Sequence, residues 1–261
     1  MNRTRRLSRF AAAAICAAAL EVPYAFASSL PQAAASESAA LLKRIDAFRT
    51  PYEEFLVRVR LTSRIGTRID ETALFDAYIS GPEKSLVVAR EHTNKGMKLL
   101  YVREDMWIHL PDTRRPLRIT PMQRLMGEAS NGDIARFSLT EDYTAEDQGP
   151  VVEEGTDCRR IVLTAARENA PYARIVLFVR AADFRSVKAE FYLPSGKRFK
   201  TARFEEYKPL EGRMVLTRMT IEDDLQRDRT TTMEYLVFEK KAIPARYFNK
   251  NGLVDLNILQ P

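Results

Sequence analysis

Met106-Trp-Ile-His-Leu-Pro-Asp-Thr-Arg-Arg-Pro-Leu-Arg-Ile-Thr-Pro-Met-Gln-Arg-Leu-Met-Gly-Glu-Ala-Ser-Asn-Gly-Asp-Ile-Ala-Arg136 is the stretch that decides how this chain folds. It begins as a strand, breaks at Pro111 and Pro116, and then predicts two short helical pieces. It holds the only tryptophan of the 261 residues and is dense in arginine. The sequence on either side predicts antiparallel strand almost throughout. In a sheet protein, such an interruption belongs over an opening.

Before this stretch, apolar residues recur with period two. Phe55, Val57, Val59 and Leu61 alternate with Leu56, Arg58, Arg60 and Thr62, which gives one dry and one wet face. Further strands are predicted over 74–80, 85–91, 97–103 and 106–110, separated by short turns such as Asn94-Lys95-Gly96. Links this short imply an antiparallel meander, because parallel neighbours need long crossovers. After the stretch the style repeats over 159–166, 173–180, 186–193, 197–207, 214–223 and 230–238. No strand-helix-strand rhythm occurs, which excludes a doubly wound fold. Residues 32–40 predict a flexible lead. Residues 38–49 predict one amphipathic helix, with Ala39, Leu42, Ile45 and Phe48 on its apolar stripe.

Ten or eleven antiparallel strands must curl, close or split. The fold class expected is therefore mainly β with a few helices: a strongly curled antiparallel sheet, an incomplete β-barrel, covered by the N-terminal helix and a short helical lid. A thin cover over a curled sheet predicts a cavity. Its expected lining is Phe55, Val57, Val59, Leu61, Leu99, Tyr101 and Trp107, with the opposite facing left open. The lid residues are Leu117, Ile119, Met122, Leu125, Met126, Ile134 and Phe137. Within the lid, Ser130-Asn131-Gly132-Asp133 is either a helix cap or the hinge of a mobile cover.

The N-terminus predicts export. Arg3, Arg5, Arg6 and Arg9 precede an alanine-rich apolar run over 10–20, and Ala25-Phe26-Ala27 places small residues where a signal peptidase reads. Cleavage is expected after Ala27, which leaves a single domain over 28–261. The formal charge of +6 then falls to about +3, spread along the chain, and this excludes a nucleic-acid footprint. With Cys16 removed, Cys158 has no intramolecular disulfide partner and reads as a half-buried strand residue.

Little here suggests catalysis. His92 and His109 sit on strands where alternation turns them to the wet face, and no nucleophile elbow, zinc-protease helix or phosphate loop occurs. The acidic pairs at Glu153-Glu154 and Glu222-Asp223-Asp224 read as solvated loop charges. No catalytic residue, metal or cofactor is expected. Arg114, Arg115, Arg118, Arg124 and Arg136 either pair with Asp112, Glu128 and Asp133 or, for Arg115, Arg118 and Arg124, meet an acidic headgroup or partner at the cavity rim.

The run Trp107-Ile-His-Leu-Pro, Arg118-Ile-Thr-Pro and Ser130-Asn-Gly-Asp-Ile134, followed by Val187-Lys-Ala-Glu-Phe-Tyr192, Ser195-Gly-Lys197 and Lys200-Thr-Ala-Arg-Phe204, resembles the outer-membrane lipoprotein-sorting proteins. These are relatives of the periplasmic lipoprotein carrier of the Lol pathway. The resemblance spans most of the exported chain. It implies an incomplete β-barrel whose helical lid covers an apolar cavity for lipid or lipoprotein acyl chains. It also implies a monomer working between an inner-membrane transporter and an outer-membrane acceptor. The carrier uses a lid-contacting arginine on an early strand, and Arg58, Arg60 and Arg64 lie on the comparable strand here. A periplasmic sensor that reads envelope lipid or misfolded protein with the same fold is the alternative implied.

Overall fold

The computed structural model describes residues 30–258 apart from His92, Asn94 and Phe137. The export segment with its cleavage point at Ala27, and the expectations for His92 and Phe137, lie outside the described residues. A helix, α1 (Leu30–Asp46), leads into β1 (Glu54–Ile65), β2 (Arg68–Ser80), β3 (Lys84–Glu91), β4 (Lys98–Val102), β5 (Asp105–His109) and β6 (Leu117–Ile119). A small hairpin, β7 (Arg124–Met126) and β8 (Ala129–Ser130), and a short helix, α2 (Asn131–Ala135), follow. The chain then runs through β9 (Tyr143–Glu153), β10 (Thr156–Ala165), β11 (Arg174–Arg180), β12 (Ser186–Tyr192), β13 (Arg198–Leu210), β14 (Arg213–Asp223) and β15 (Arg229–Lys240).

The order β6-β5-β4-β3-β2-β1-β15-β14-β13-β12-β11-β10-β9 makes one thirteen-stranded antiparallel sheet with β6 and β9 as free edges. It is an incomplete barrel, as the period-two pattern predicts. Two meanders are joined where β1 pairs with β15. This order fixes the lid. The chain leaves the first meander at one edge, β6, and enters the second at the other, β9, so residues 120–142 must cross the opening between them.

Three expectations change. The helix covers Leu30–Asp46, so residues 32–40 are helical rather than a flexible lead. The first of the two helical pieces expected in the lid is instead the β7–β8 hairpin, and only α2 is helical. The sheet also gains β6 and β9. β9 carries Glu146-Asp147-Gln148-Gly149-Pro150, a polar run with a proline, which blunts an edge strand and hides it from pattern reading.

The inner face holds one continuous core. Phe55, Val57, Val59 and Leu61 of β1, Phe75 and Ala77 of β2, and Leu99 and Tyr101 of β4 bury against Met126, Ala129, Ile134 and Ala135 of the lid. The other wall of the same core is built from Leu163, Ile175, Leu177, Leu216 and Met219, under Leu42 and Ile45 of α1. On the outer face a smaller cluster packs Leu56, Tyr78, Leu86, Val88 and Leu100 beneath Ile243, Leu253 and Ile258 of the C-terminal segment. Beneath that segment Asp76, 1 % exposed, takes hydrogen bonds from Arg58 and Arg90, each at 2.7 Å.

Candidate functional site: a lidded cavity on the inner face

The two covers divide the inner face between them. The lid lies over the first meander, where α2 meets β3 and β4 and the Ser85 hydroxyl donates to the Ala135 carbonyl at 2.6 Å. α1 lies over the second meander. The Ala145 backbone N–H donates to Ser38 Oγ at 2.7 Å, Arg44 stacks on Phe184, and Phe48 meets Tyr207 edge-on at 5.6 Å. Between the covers is an inner cavity of about 70 Å³. Its roof is Ile45, Phe48 and Arg49 with Gly132, Asp133 and Arg136; its floor includes Leu163, Leu177, Phe191, Phe204, Leu216 and Met219. A wider cavity of about 560 Å³ opens at the end of α1, against Pro51, Tyr52, Phe55, Ile79 and Pro82. Asp46 and Ser138 line both spaces, so they form part of the wall between them.

Buried charges hold the covers. Asp133 accepts from Lys200 Nζ at 2.6 Å, from the Tyr172 hydroxyl at 2.7 Å, and from the Ser130 N–H at 2.8 Å. Burial alone would raise its carboxyl, but Lys200 and these hydrogen bonds outweigh that and hold it below the ordinary value. The Lys200 ammonium also rests among Tyr172, Phe191 and Phe199. Asp46, at the end of α1, accepts from Ser138 Oγ and from the Leu139 and Thr140 backbone N–H groups at 2.8–3.0 Å. Its burial outweighs those bonds and pushes its carboxyl up. Asp142 pairs with Arg136 at the far end of the lid, and burial pushes it up to about 6.

Ser130 caps α2, and the Asp133 side chain reaches back to its N–H, so the cap reading of Ser130-Asn131-Gly132-Asp133 describes the structure. Asn131 and Gly132 are buried, and a Cβ on Gly132 would press on Pro121 and Pro171. The segment is a staple in this structure. Gly127, in the left-handed region at φ +51°, lies so close to Ser63 and Thr231 that no side chain fits there.

Six of the seven residues expected to line the cavity share the inner core: Phe55, Val57, Val59, Leu61, Leu99 and Tyr101. The lid packs on this wall, and the inner cavity lies instead against β10–β14; of the six, Phe55 lines the wider cavity. Trp107 is separated from the group. It pairs with Leu100 on the outer face and packs with the C-terminal segment, 5.5 Å beneath the Lys250 ammonium, and Met106 takes the inward position. His109 shares the outer face but is not wet, because the loop after it folds back and places the Thr113 carbonyl 3.0 Å from Nε2.

Of the expected lid residues, Leu117 and Ile119 belong to edge strand β6, with Leu117 exposed. Met126 and Ile134 are buried in the core, Leu125 is partly buried against it, and Met122 is exposed. Arg118 pairs with Asp105 and Arg124 with Glu128, whereas Arg115 is exposed with no ion pair among the described residues. The acidic clusters are paired rather than merely solvated: Glu153 with Lys188, and Glu154 and Glu222 with Arg203. Arg58 and Arg60 pair with Asp76 and Glu234, and an arginine that does touch the lid is Arg49, which donates to the Asp133 carbonyl at 3.1 Å. Sequence reasoning missed Arg49, Asp46, Asp142, Tyr172 and Lys200. Their apolar neighbours were the only local hint, because the partners of all but Asp142 lie tens of residues away.

A family model described as "-like: Uncharacterized protein" matches residues 81–255. No curated protein matches the chain. A LolA superfamily protein from Nitrosomonas europaea superposes with a TM-score of 0.76 at 29% identity, over 82% of this chain and 98% of that one. A Vibrio parahaemolyticus domain described as an outer membrane lipoprotein-sorting protein domain gives 0.71 at 19%, over 84% and 99%. A DUF1329 family protein from Desulfovibrio piger gives 0.70 at 21%, over 84% and 98%. The latter two likenesses establish the fold alone. None of these descriptions names a catalytic activity.

Proposed function

Because this chain belongs to the family whose model covers residues 81–255, and has the fold of LolA superfamily and lipoprotein-sorting proteins, we propose that it is a periplasmic carrier. It shelters lipid, or the acyl chains of lipoproteins, on the inner face of the half-barrel for transfer toward the outer membrane. It is exported by the segment ending at Ala27, acts as a single domain over 28–261, and exchanges cargo with an inner-membrane transporter and an outer-membrane acceptor. The observation that supports this reading is the cavity with an apolar floor, roofed by two separate covers that polar side chains fasten to each other and to the sheet.

The energetics suit a carrier. Exposing an acyl chain of about fifteen methylenes to water costs roughly 12 kcal/mol, so unaided passage across an aqueous compartment is slow. The inner cavity, at about 70 Å³, is below the range of roughly 300–1,000 Å³ usual for ligand sites. Cargo therefore enters by moving a cover. The wider cavity beside Phe55 and Ile79 is the natural approach, and the Asp46 bonds to residues 138–140 are what must part.

The test is native purification from the periplasm, mass spectrometry of bound lipid, and displacement of a fluorescent fatty-acid probe by lipid extracts. Co-purified lipid and displacement are expected. Neither appearing would sink the carrier reading.

A further inference from the structure

Arg136 is out of keeping with a cavity built only for hydrocarbon. It lines the inner cavity with its side chain 2% exposed. One terminal nitrogen donates to the Asn169 carbonyl at 2.7 Å, the other pairs with Asp142, and the guanidinium lies 4.7 Å from the centre of the Tyr101 ring. Its Nε–H is buried with no acceptor among the described residues. An unpaired buried donor is unfavourable, and more so on a charged group. The site therefore favours whatever brings an oxygen to that N–H.

The surrounding charges say which kind of oxygen. Arg49, Arg136 and Lys200 stand with Asp46, Asp133 and Asp142 around the roof, so formal charges balance. A buried carboxylate added to a compensated cluster keeps its desolvation penalty without a free cation to offset it. A neutral carbonyl supplies the acceptor and adds no charge. The floor of Leu163, Leu177, Phe191 and Met219 offers hydrocarbon contact beside it.

We propose that the inner cavity is a subsite for the carbonyl of an ester- or amide-linked acyl chain. Arg136 Nε–H donates to the carbonyl oxygen, and the chain lies along the β10–β14 wall. This rests on the carrier reading and narrows its cargo: acylated molecules with a neutral linkage bind better than bare hydrocarbon, and free fatty acids gain nothing over them.

The test is displacement of a fluorescent alkyl probe from the full exported chain at neutral pH, by methyl laurate, N-methyl lauramide, laurate and dodecane. Methyl laurate or the amide should outcompete dodecane by about tenfold, the worth of one hydrogen bond to a charged donor. The stronger of the two identifies the linkage preferred, and laurate should be no better than it. Arg136→Lys, which removes Nε–H and leaves its ammonium to Asp142 and the Asn169 carbonyl, should erase the ratio between ester or amide and dodecane, whatever it does to the affinity for dodecane itself. Equal potency of ester, amide and dodecane would overturn the subsite, and so would laurate binding tightest. Failure of all four compounds, dodecane included, would break the carrier reading itself. In the unaltered protein, the Arg136 Nε–H resonance in a nitrogen-15 spectrum should move with ester or amide and stay fixed with dodecane. A resonance that ignores all of them counts against the assignment even if the lysine variant does not fold.

Discussion

The two walls of the inner face bury similar residues but are closed differently. On the first meander, Leu99, Tyr101 and Val87 meet Ile134 and Ala135 of the lid, and Ser85 ties the lid backbone to β3. The cavity of about 410 Å³ on that side lies at its rim, against Met97, Ile108, Ile119 and Leu125. On the second meander, α1 stands off the sheet enough to leave the inner cavity over Leu163, Leu177 and Met219. The difference lies in what fastens each cover. Apolar interdigitation closes one side, and polar bonds from the lid bridge the seam to the other: Lys200 to Asp133, and Arg136 to the Asn169 carbonyl. Interdigitated hydrocarbon stays shut, because opening it exposes area to water. Ion pairs can exchange partners with cargo or water.

The largest expected effect comes from breaking that bridge. Lys200→Ala leaves the Asp133 carboxylate buried and unpaired, at a cost of about 3–5 kcal/mol. Urea unfolding should register the loss. Hydrogen exchange should show protection falling first over residues 130–136 and last beneath the C-terminal segment. A uniform loss across both regions would mean that the lid does not open separately.

A second pair of substitutions contrasts the walls directly. Leu99→Ala in the closed wall should cost about 2–5 kcal/mol and leave lipid-probe affinity within twofold. Ala189→Leu, on the cavity lining, should cost about 1–3 kcal/mol by overpacking, yet cut probe affinity tenfold or more by filling the space. If Leu99→Ala weakens the probe and Ala189→Leu does not, cargo lies against the first meander.

These walls mark how far the sequence could be read. The curled sheet, its meander order and the identity of the lid were legible, because period-two alternation and short turns are local signals. The same alternation grouped six residues of β1 and β4 on one face, which way they faced being left open; they lie in the inner core. The place of the inner cavity was not legible, since it depends on how α1 sits over β10–β14. The partners of Asp133 and Asp46 were equally out of reach: Lys200 and Ser138 are distant in sequence, and nothing local announces either pairing. Trp107 is different. Alternation puts it on the same face as His109, so assigning one to the cavity and the other to the wet face conflicted within the sequence itself.

Mild acid gives a smaller and oppositely signed test of the bridge. Burial raises Asp142 to about 6, above its unfolded value, so the folded chain binds the extra proton between those two values. Asp46 is raised in the same direction. Asp142 therefore adds stability as pH falls from 7 toward 5, and Asp46 acts in the same direction. Asp133 is held low, and its contribution is lost only at more acidic pH, as the solution falls through its folded value. The urea midpoint of the unaltered chain should rise from pH 7 to pH 5 by more than that of Asp142→Asn. Identical slopes would show that Asp142 is fully neutralised by Arg136 and that burial does not govern it.

The smallest expected effect separates inner from outer face. Trp107 is the only tryptophan, and it lies half-buried on the outer face under Lys250. Its fluorescence should therefore ignore cargo and report on the C-terminal segment. Saturating lipid should leave the emission maximum in place, whereas removing residues 243–261 should shift it to the red as water reaches the ring. Trp107→Ala should leave probe affinity unchanged and cost only about 1 kcal/mol, less than a fully buried aromatic, since the ring is partly exposed already. A lipid-dependent shift would mean that opening the inner face strains the sheet through β4 and β5 to its outer side. The two faces would then act as one coupled unit, and the C-terminal segment would be part of the release mechanism.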